Sequence, residues 1–218
     1  MYGITFGDTH TYDSWGLFLI DFTMELPPAK TKYVDLPIGN GSVDMTEAIF
    51  GDVSYGERTA AFQFAVKLPF SDRIALQNTI AAYLHGRRMR IVLPDDPYHY
   101  YMGRVQLTSG MIREGTVDNL AMEAICEPYK YKMFPTVVSG AVPAGGTVTR
   151  SCLNSRMRVI PEITVSAAAT IIFGGSTYSV NAGTWKLTNV VFVEGDNEIT
   201  ITAAAGTTYS ITYQEGLI

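Results

Sequence analysis

The chain has 218 residues, of which 47% are hydrophobic and 17% charged, and its formal net charge is −5. Apolar residues occur along the whole length, which indicates a folded protein with a sizeable core rather than a disordered one. Neither half of the chain is basic, and this argues against a chain-wide nucleic-acid-binding surface. No apolar run approaches the roughly 20 residues of a membrane-spanning helix, and the first residues do not resemble a signal peptide. We therefore expect synthesis in a cytoplasm and no membrane partner.

The N-terminal segment predicts two short strands, 3–6 and 16–24, with a polar turn between them. In the second strand, period-two spacing places Phe18, Ile20 and Phe22 on one face. This pattern is typical of a strand that covers a core on one side.

The stretch from Tyr33 to Val66 begins and ends as a strand, with a long polar middle between. Connections of roughly 20 residues are generally functional or disordered. This one contains several apolar residues, too many for a plain linker: Val43, Met45, Ile49, Phe50 and Tyr55. We interpret the segment as an arm that packs against a partner. The alternative is that it folds back onto its own domain.

One convincing helix is predicted over 71–84, because Leu76, Ile80 and Leu84 form a stripe of helical period. Gly86 suits the left-handed position just beyond its end. Further strands follow at 90–93, 98–107 and 119–126. The first half is therefore expected to be an α+β domain, 1–133.

From Phe134 onward Ser, Thr, Ala, Gly and Val dominate and no helix is legible. Short strands recur, with turns between them, at 137–142, 147–152, 162–166, 170–173, 177–180, 184–187, 190–193, 198–202 and 208–213. This spacing is typical of a small β-sandwich. The predicted fold is thus mainly β with one helix, and the second domain spans 134–218.

The residue patterns give little support for an enzyme, and no catalytic residue, metal site or cofactor is predicted. The three histidines, His10, His85 and His99, lie in different elements, and His10 and His99 are expected at the surface. Adjacent Asp95 and Asp96 precede a proline, which favours turn chemistry over a catalytic carboxylate pair. Motifs of nucleotide-binding loops and of serine hydrolases are absent from the sequence.

Three further features have both a functional and a structural interpretation. Cys126 and Cys152 lack metal-ligand spacing, and free buried thiols are favoured over a disulfide or a zinc site. Tyr178 and Trp185, with Phe173, are a possible glycan-stacking platform, although core aromatic residues are the commoner explanation. An exposed Trp185, and glycan binding by residues 134–218 alone, would favour a carbohydrate-binding module.

Several stretches, in this order, resemble the distal tail protein of long-tailed siphophages. They are MYGITFGDTHTYDSWGL, YVDLPIGNGSVDMTEAIFGDVSYGERTAAFQF, YLHGRRMRIVLPDDPYHYYMGRV, CEPYKY, SRMRVIPEITV and YSITYQEG. The resemblance covers nearly the whole chain. No motif is diagnostic alone, but their order is specific.

The resemblance implies a structural virion protein at the tail tip, assembled in the host cytoplasm. A tail-tube-like N-terminal domain would form a homohexameric ring with a central channel, and a small galectin-like or carbohydrate-module-like sandwich would follow it. The implied partners are the tail tube protein and the tail-associated hub protein, with the tape-measure and receptor-binding proteins nearby. The second domain of this chain has no obvious extension, which weakens the case for receptor-protein docking or sugar binding there.

Two hypotheses about the arm follow from its residues and this resemblance. Unpaired strand edges and apolar residues of the arm would pack against the next subunit, and cyclic repetition would close a ring. Acidic residues of the arm, Asp44, Glu47 and Asp52, would line the channel, so that DNA passes through without specific binding.

Overall fold

A computed structural model describes residues 3–48 and 51–218. Two of the predicted interface residues, Ile49 and Phe50, lie outside the described residues. The chain forms two compact units, Met1–Lys130 with Ile218, and Tyr131–Leu217. The described part is mainly β with a single long helix, which confirms the predicted fold class.

The first unit is built from strands with two helices inserted between them. Their bounds are β1 (Thr5–Phe6), β2 (Thr9–His10), α1 (Thr11–Trp15), β3 (Phe18–Met24), β4 (Tyr33–Asp35), β5 (Ser42–Asp44), β6 (Arg58–Val66), α2 (Arg73–Leu84), β7 (Arg88–Val92), β8 (His99–Leu107), β9 (Ile112–Glu114) and β10 (Val117–Lys132). Strand β10 continues into the second unit.

One large sheet organises the first unit, with strand order β2-β1-β7-β8-β10-β6-β3 and β9 added beside β10. Strand β6 sends Phe62 and Phe64 to one face, where they share a core with Ile80 and Leu84 of α2. On the other face of β6, Gln63 is exposed. The helix therefore covers only one face of the sheet, as is common for antiparallel sheets.

The prediction for β3 was wrong in register, because the strand contains a β-bulge. Leu19 lies opposite Phe64 and Phe22 opposite Phe62, so Ile20 is the extra residue between them. A bulge shifts the alternation by one residue. Phe18 and Ile20 consequently point outward, 47% and 54% exposed, whereas Phe22 packs against the core.

Two local predictions near the helices also need correction. The segment 7–14, predicted as a turn, contains β2 and most of the one-turn helix α1. The predicted helix 71–84 begins instead as a 3₁₀ turn, Phe70–Asp72, and becomes α-helical at Arg73. Gly86 has φ of 77°, which fulfils the prediction of a left-handed residue after the helix.

The second unit is a β-sandwich of two four-stranded sheets, with the orders β11-β18-β13-β16 and β12-β17-β14-β15. The strand bounds are β11 (Thr136–Ala141), β12 (Thr147–Asn154), β13 (Glu162–Val165), β14 (Ala169–Phe173), β15 (Ser176–Val180), β16 (Gly183–Trp185), β17 (Gly195–Ala203), β18 (Thr208–Tyr213) and β19 (Gly216–Leu217).

Two sequence predictions in the sandwich were wrong. The segment 190–193 is not a strand: Phe192 forms an isolated bridge with Val159, and Val190 and Phe192 are buried in the core of the sandwich. The predicted turn at 194–197 is mostly strand, because β17 already pairs with β12 at Gly195. Cys126 in the first unit and Cys152 in the second are both free and buried.

Candidate subunit-docking arm

The arm has different bounds in the structure from the predicted Tyr33–Val66, because β6 belongs to the large sheet. Its described residues are 29–48 and 51–55, and its two ends pair with each other at the base. Ala29 and Tyr55 form a β-bridge, and the Tyr55 ring meets the Tyr129 ring edge-on at a centroid distance of 6.0 Å. Two backbone hydrogen bonds of 2.8 Å close the base, from Lys30 N–H to the Ser54 carbonyl and from Gly56 N–H to the Pro28 carbonyl. The arm is therefore anchored at its base, and Tyr55 belongs to that anchor.

Beyond the base, β4 and β5 form a two-stranded antiparallel hairpin. The opposed pairs are Tyr33 with Asp44, Val34 with Val43, and Asp35 with Ser42. Gly41 closes the turn with φ of 87°, a conformation that a residue with a side chain adopts only at a cost. Met45 N–H donates to the Lys32 carbonyl at 2.7 Å and extends the pairing by one step.

This hairpin has one apolar and one acidic face. Residues directly opposed in a ladder share a face, and side chains alternate along each strand. Tyr33, Asp35 and Asp44 consequently lie on one side. The other side, which we call the apolar arm face, consists of Val34, Leu36, Val43 and Met45.

The apolar arm face is exposed within this chain. Val34 is 47% exposed, Leu36 45%, and Val43 and Met45 each 43%. These side chains therefore do not belong to the buried core of their own unit. An isolated two-stranded hairpin is marginally stable in water, and three or more strands or a packing partner are normally needed. The geometry favours a partner that covers this face.

The acidic residues of the arm remain accessible or make local contacts. Asp44 accepts hydrogen bonds from the Thr46 hydroxyl and, at 2.9 Å, from the Thr46 N–H, and these lower the pKa of its carboxyl group. Glu47 is exposed, and half-buried Asp52 accepts the Val53 N–H at 2.7 Å. No Lys or Arg occurs between Asp35 and Asp52, so this part of the arm is anionic at neutral pH.

Sequence reasoning named Val43 and Met45 but missed three apolar residues of the same hairpin. Val34 and Leu36 complete the apolar arm face, and Ile38 at the tip is fully exposed. The signal was present: alternation at 33–36 followed by a Gly-Asn-Gly turn predicts a hairpin in which Val34 meets Val43.

The possible glycan platform divides between the two sheets of the sandwich. Tyr178 on β15 lies opposite buried Ile171 and packs against the core. Trp185 on β16 lies opposite buried Ile163, is 38% exposed, and donates its indole N–H to the Asn181 carbonyl at 2.9 Å. Both rings are thus on core-facing positions of edge strands rather than on an outer sheet surface.

The groups weighed for catalysis make structural contacts in the first unit. Asp96, in a turn, accepts hydrogen bonds from Lys130 at 2.7 Å and lies 2.6 Å from the His99 ring nitrogen. Burial opposes ionisation, but these bonds outweigh it and lower the pKa of Asp96. His99 was predicted at the surface and is instead half-buried against this carboxylate.

The other two histidines also have partners. His10 lies 2.8 Å from Asp13, and His85 accepts the Leu107 N–H at 3.1 Å. Across residues 3–48 and 51–218, no cluster of three or more His, Cys, Asp or Glu side chains is arranged to hold a metal ion. None of the helices in these ranges has the length and apolarity that a membrane crossing requires.

The fold of this chain, with a one-sided sheet, an exposed arm and a sandwich, is similar to that of a solved phage protein. One solved structure that it resembles is the SPP1 Dit (gp 19.1) protein, described as a paradigm of the hub adsorption apparatus of phages that infect Gram-positive bacteria. The TM-score is 0.69, with 98% of this chain and 99% of that chain covered. Sequence identity is 14%, so the likeness concerns the fold, and at that level the resemblance predicted from the motifs is confirmed.

No protein-family model matches the sequence, and no curated protein matches it. A de novo designed double-stranded β-helix aligns with 37% of the chain at a TM-score of 0.26, too low to bear on the fold.

Proposed function

We propose that this chain is a structural protein of a phage tail tip, in which the first unit assembles into a homohexameric ring. The observation that carries the proposal is the arm, whose exposed apolar face lacks a cover within its own unit. A neighbouring subunit that covers this face would stabilise both the hairpin and the ring. The fold shared with the SPP1 protein supports the same role.

In this role the ring joins the tail tube protein to a tail-associated hub protein at the tip of the virion. The tape-measure protein lies nearby during assembly in the host cytoplasm, and receptor-binding proteins attach from outside. DNA passes through the channel without specific binding, because the acidic residues Asp44, Glu47 and Asp52 repel phosphate. The protein is not an enzyme and needs no cofactor.

Light scattering on the purified chain tests the ring directly. We expect a mass near six times 23.9 kDa. The double variant Val43→Asp/Met45→Asp should remain folded but run as a monomer, because two charges on the apolar arm face are incompatible with burial. A matched control, Thr177→Asp/Ser179→Asp, adds the same charges at exposed positions of the sandwich and should keep the hexamer. A hexamer in the arm variant would contradict the proposed interface.

The expected behaviour toward DNA has a separate test. The assembled ring should not retain duplex DNA at low salt, where electrostatic binding is strongest. Tight binding under these conditions would contradict a non-adhesive channel.

A carbohydrate-binding role for the sandwich is the second candidate. The observation in its favour is a hollow of about 530 Å³ lined by polar side chains that include Thr170, Ser179, Asn181 and Thr202. Glycan binding by the full chain that is lost in Trp185→Ala would support the edge aromatic as its platform. Binding that survives Trp185→Ala and is lost in Thr202→Val would instead assign it to the hollow.

A further inference from the structure

Asn40, at the tip of the arm, is the one asparagine of the chain that precedes a glycine. The other six each precede a residue with a side chain: Asn78, Asn119, Asn154, Asn181, Asn189 and Asn197. An asparagine side chain can react with the backbone nitrogen of the next residue, and asparagine is among the thermally labile residues of proteins. A following glycine leaves that nitrogen unobstructed, because glycine has no Cβ.

The fold leaves this pair of residues accessible to water. Asn40 and Gly41 are both exposed, and nothing lies within 4 Å of the position that a Cβ of Gly41 would occupy. Across residues 3–48 and 51–218, neither the Asn40 side chain nor the Gly41 N–H forms a hydrogen bond. The two groups that would react, the Asn40 amide and the Gly41 nitrogen, are therefore not held by other contacts.

The turn that contains Asn40 is closed by long hydrogen bonds. The Leu36 N–H donates to the Gly41 carbonyl at 3.4 Å, and the Gly39 N–H donates to the Leu36 carbonyl at 3.5 Å. Backbone hydrogen bonds are usually about 2.9 Å long, so both of these are weak. Exposed tips of small and polar residues are the least restrained parts of a fold. The turn therefore leaves Asn40 free to rotate its side chain toward the Gly41 nitrogen.

The other asparagines provide internal comparisons. Asn154 is 3% exposed and donates to the Met157 carbonyl at 2.8 Å, and Asn197 is 4% exposed and donates to the Val193 carbonyl at 2.9 Å. Their side-chain amides are held in place and shielded from water. Asn181 is exposed like Asn40 but precedes an alanine, so it isolates the contribution of the glycine.

We propose that Asn40 is a site of spontaneous deamidation, which gives the arm a further negative charge and a modified backbone. Hydroxide removes the proton of the Gly41 amide, and the nitrogen attacks Cγ of Asn40. The new N–Cγ bond replaces the Cγ–Nδ2 bond, ammonia leaves with a proton from water, and a cyclic imide remains.

Water then opens the imide in one of two ways. Cleavage of the N–Cγ bond gives aspartate, and cleavage of the original peptide bond between Asn40 and Gly41 gives isoaspartate. Overall, the reaction consumes water and releases ammonia, and no group is oxidised or reduced.

Both products change the arm. The segment from Asp35 to Asp52 contains acidic residues and no Lys or Arg, so the new carboxylate adds to charge of the same sign. In isoaspartate the main chain runs through the side-chain carbons and is longer, within the turn that joins the opposed residues Asp35 and Ser42. A two-stranded hairpin is marginally stable, so its pairing should weaken. This hairpin carries the apolar arm face, and modified copies should therefore assemble less readily, an effect that rests on the proposed ring.

Peptide mapping of the full chain, incubated at mildly alkaline pH, tests the site. Trypsin releases Asn40 in the peptide 33–58 and Asn181 in the peptide 159–186. By mass spectrometry, Asn40 should deamidate at least about tenfold faster than Asn181, because only Asn40 precedes a glycine. The product should include isoaspartate, which enzymatic methylation detects and direct hydrolysis of the side chain does not form. Equal rates at the two sites, or a product without isoaspartate, would overturn the inference.

The same measurement in urea separates the effect of the fold from that of the sequence. Asn40 should deamidate in the native chain at nearly the rate of the unfolded chain, since the fold leaves the tip exposed. An Asn40 that persists in the native chain but not in urea would overturn the inference, because the turn would then protect it. Asn40→Gln, with a longer side chain that closes the imide less readily, and Gly41→Ala should both lose the rapid reaction. A rapid reaction in either variant would contradict the role of this pair.

Light scattering before and after ageing tests the effect on assembly. At a fixed protein concentration, the ring fraction of wild type should fall as Asn40 is converted, whereas that of Asn40→Gln, aged in the same way, should be retained. Equal changes in the two proteins would overturn the effect on assembly. Wild type that forms no ring before ageing would overturn both the proposed ring and this effect, whereas the reaction at Asn40 is decided by mass spectrometry alone.

Discussion

The sandwich buries most of its large apolar side chains in a core, whereas the arm leaves its apolar side chains exposed. In the sandwich, both sheets direct residues such as Ile171, Ile201 and Ile211 into a closed core. The outer face of one sheet carries rows of hydroxyls in register, for example Thr147–Thr202–Thr170–Ser179. The arm directs its apolar residues outward. The sandwich thus has a closed core of its own, although Val137 and Leu153 are exposed on it, whereas the arm gathers four exposed apolar side chains on one face that the proposed next copy would cover.

The largest expected loss of stability comes from the core of the sandwich. Phe192 is fully buried, with ring centroids of Phe173 and Tyr213 at 5.7 and 5.1 Å. Phe192→Ala should cost about 3–5 kcal/mol of unfolding free energy, through lost burial and a residual cavity. Urea unfolding of the full chain measures it, and Ile172→Ala at a 37% exposed position should cost far less. Similar losses for both variants would contradict a closed core.

A comparable loss is expected in the first unit from its buried ion pairs. Asp118 is fully buried between Arg73 and Arg113, and Asp118→Ala leaves both guanidinium groups without their carboxylate. Removing one partner of a buried pair costs about 3–5 kcal/mol. Exposed Asp72→Ala is the matched control for denaturant unfolding.

Much of this architecture was predictable, because buried apolar residues recur at the spacing of the strand or helix that they belong to. The strands β6, β8 and β10 followed from alternation, and α2 from its apolar stripe. The outward orientation of the Phe18 and Ile20 side chains was not predictable, since a bulge depends on the pairing between strands. Alternation also does not reveal which apolar face stays uncovered. That property depends on what the fold places opposite each face, which is why Val34 and Leu36 were missed although the arm itself was inferred from the sequence.

A smaller loss of unfolding free energy is expected from a substitution of Glu215, whose carboxylate binds residues at the start of the second unit. Glu215 is almost fully buried and accepts hydrogen bonds from Lys132, from Thr136 and, at 2.6 Å, from Ser155. Glu215→Gln removes the charge from these contacts and should cost about 1–3 kcal/mol in urea unfolding at neutral pH. Glu198→Gln, an exposed position on β17, is the control and should change the free energy little. Equal effects would show that Glu215 has no special role.

The same site predicts a dependence on pH. Burial opposes ionisation of Glu215, but its hydrogen bonds outweigh this and hold the pKa below the ordinary 4.5. A carboxyl group with a lowered pKa in the folded state stabilises fully above its unfolded pKa, and this stabilisation disappears as pH falls through the folded pKa. Wild type should therefore approach the stability of Glu215→Gln as the pH is lowered below about 4.5. A constant difference between the two proteins down to acid pH would contradict the assignment.

Substitutions in the arm are expected to change monomer stability least of all, and to weaken assembly strongly. Val43→Thr/Met45→Gln keeps the size of the side chains but replaces apolar groups that one copy leaves in water. Exposed substitutions of this kind usually change the free energy of unfolding by less than about 0.5 kcal/mol. When the protein is diluted, the ring of the variant should dissociate at a higher protein concentration than the ring of the wild type, because its subunits would bury polar groups without partners. Denaturant unfolding of the dilute protein and light scattering across concentrations separate the two effects. A loss of monomer stability as large as that of Phe192→Ala would show that the arm packs within its own chain, and the contrast with the sandwich would then disappear.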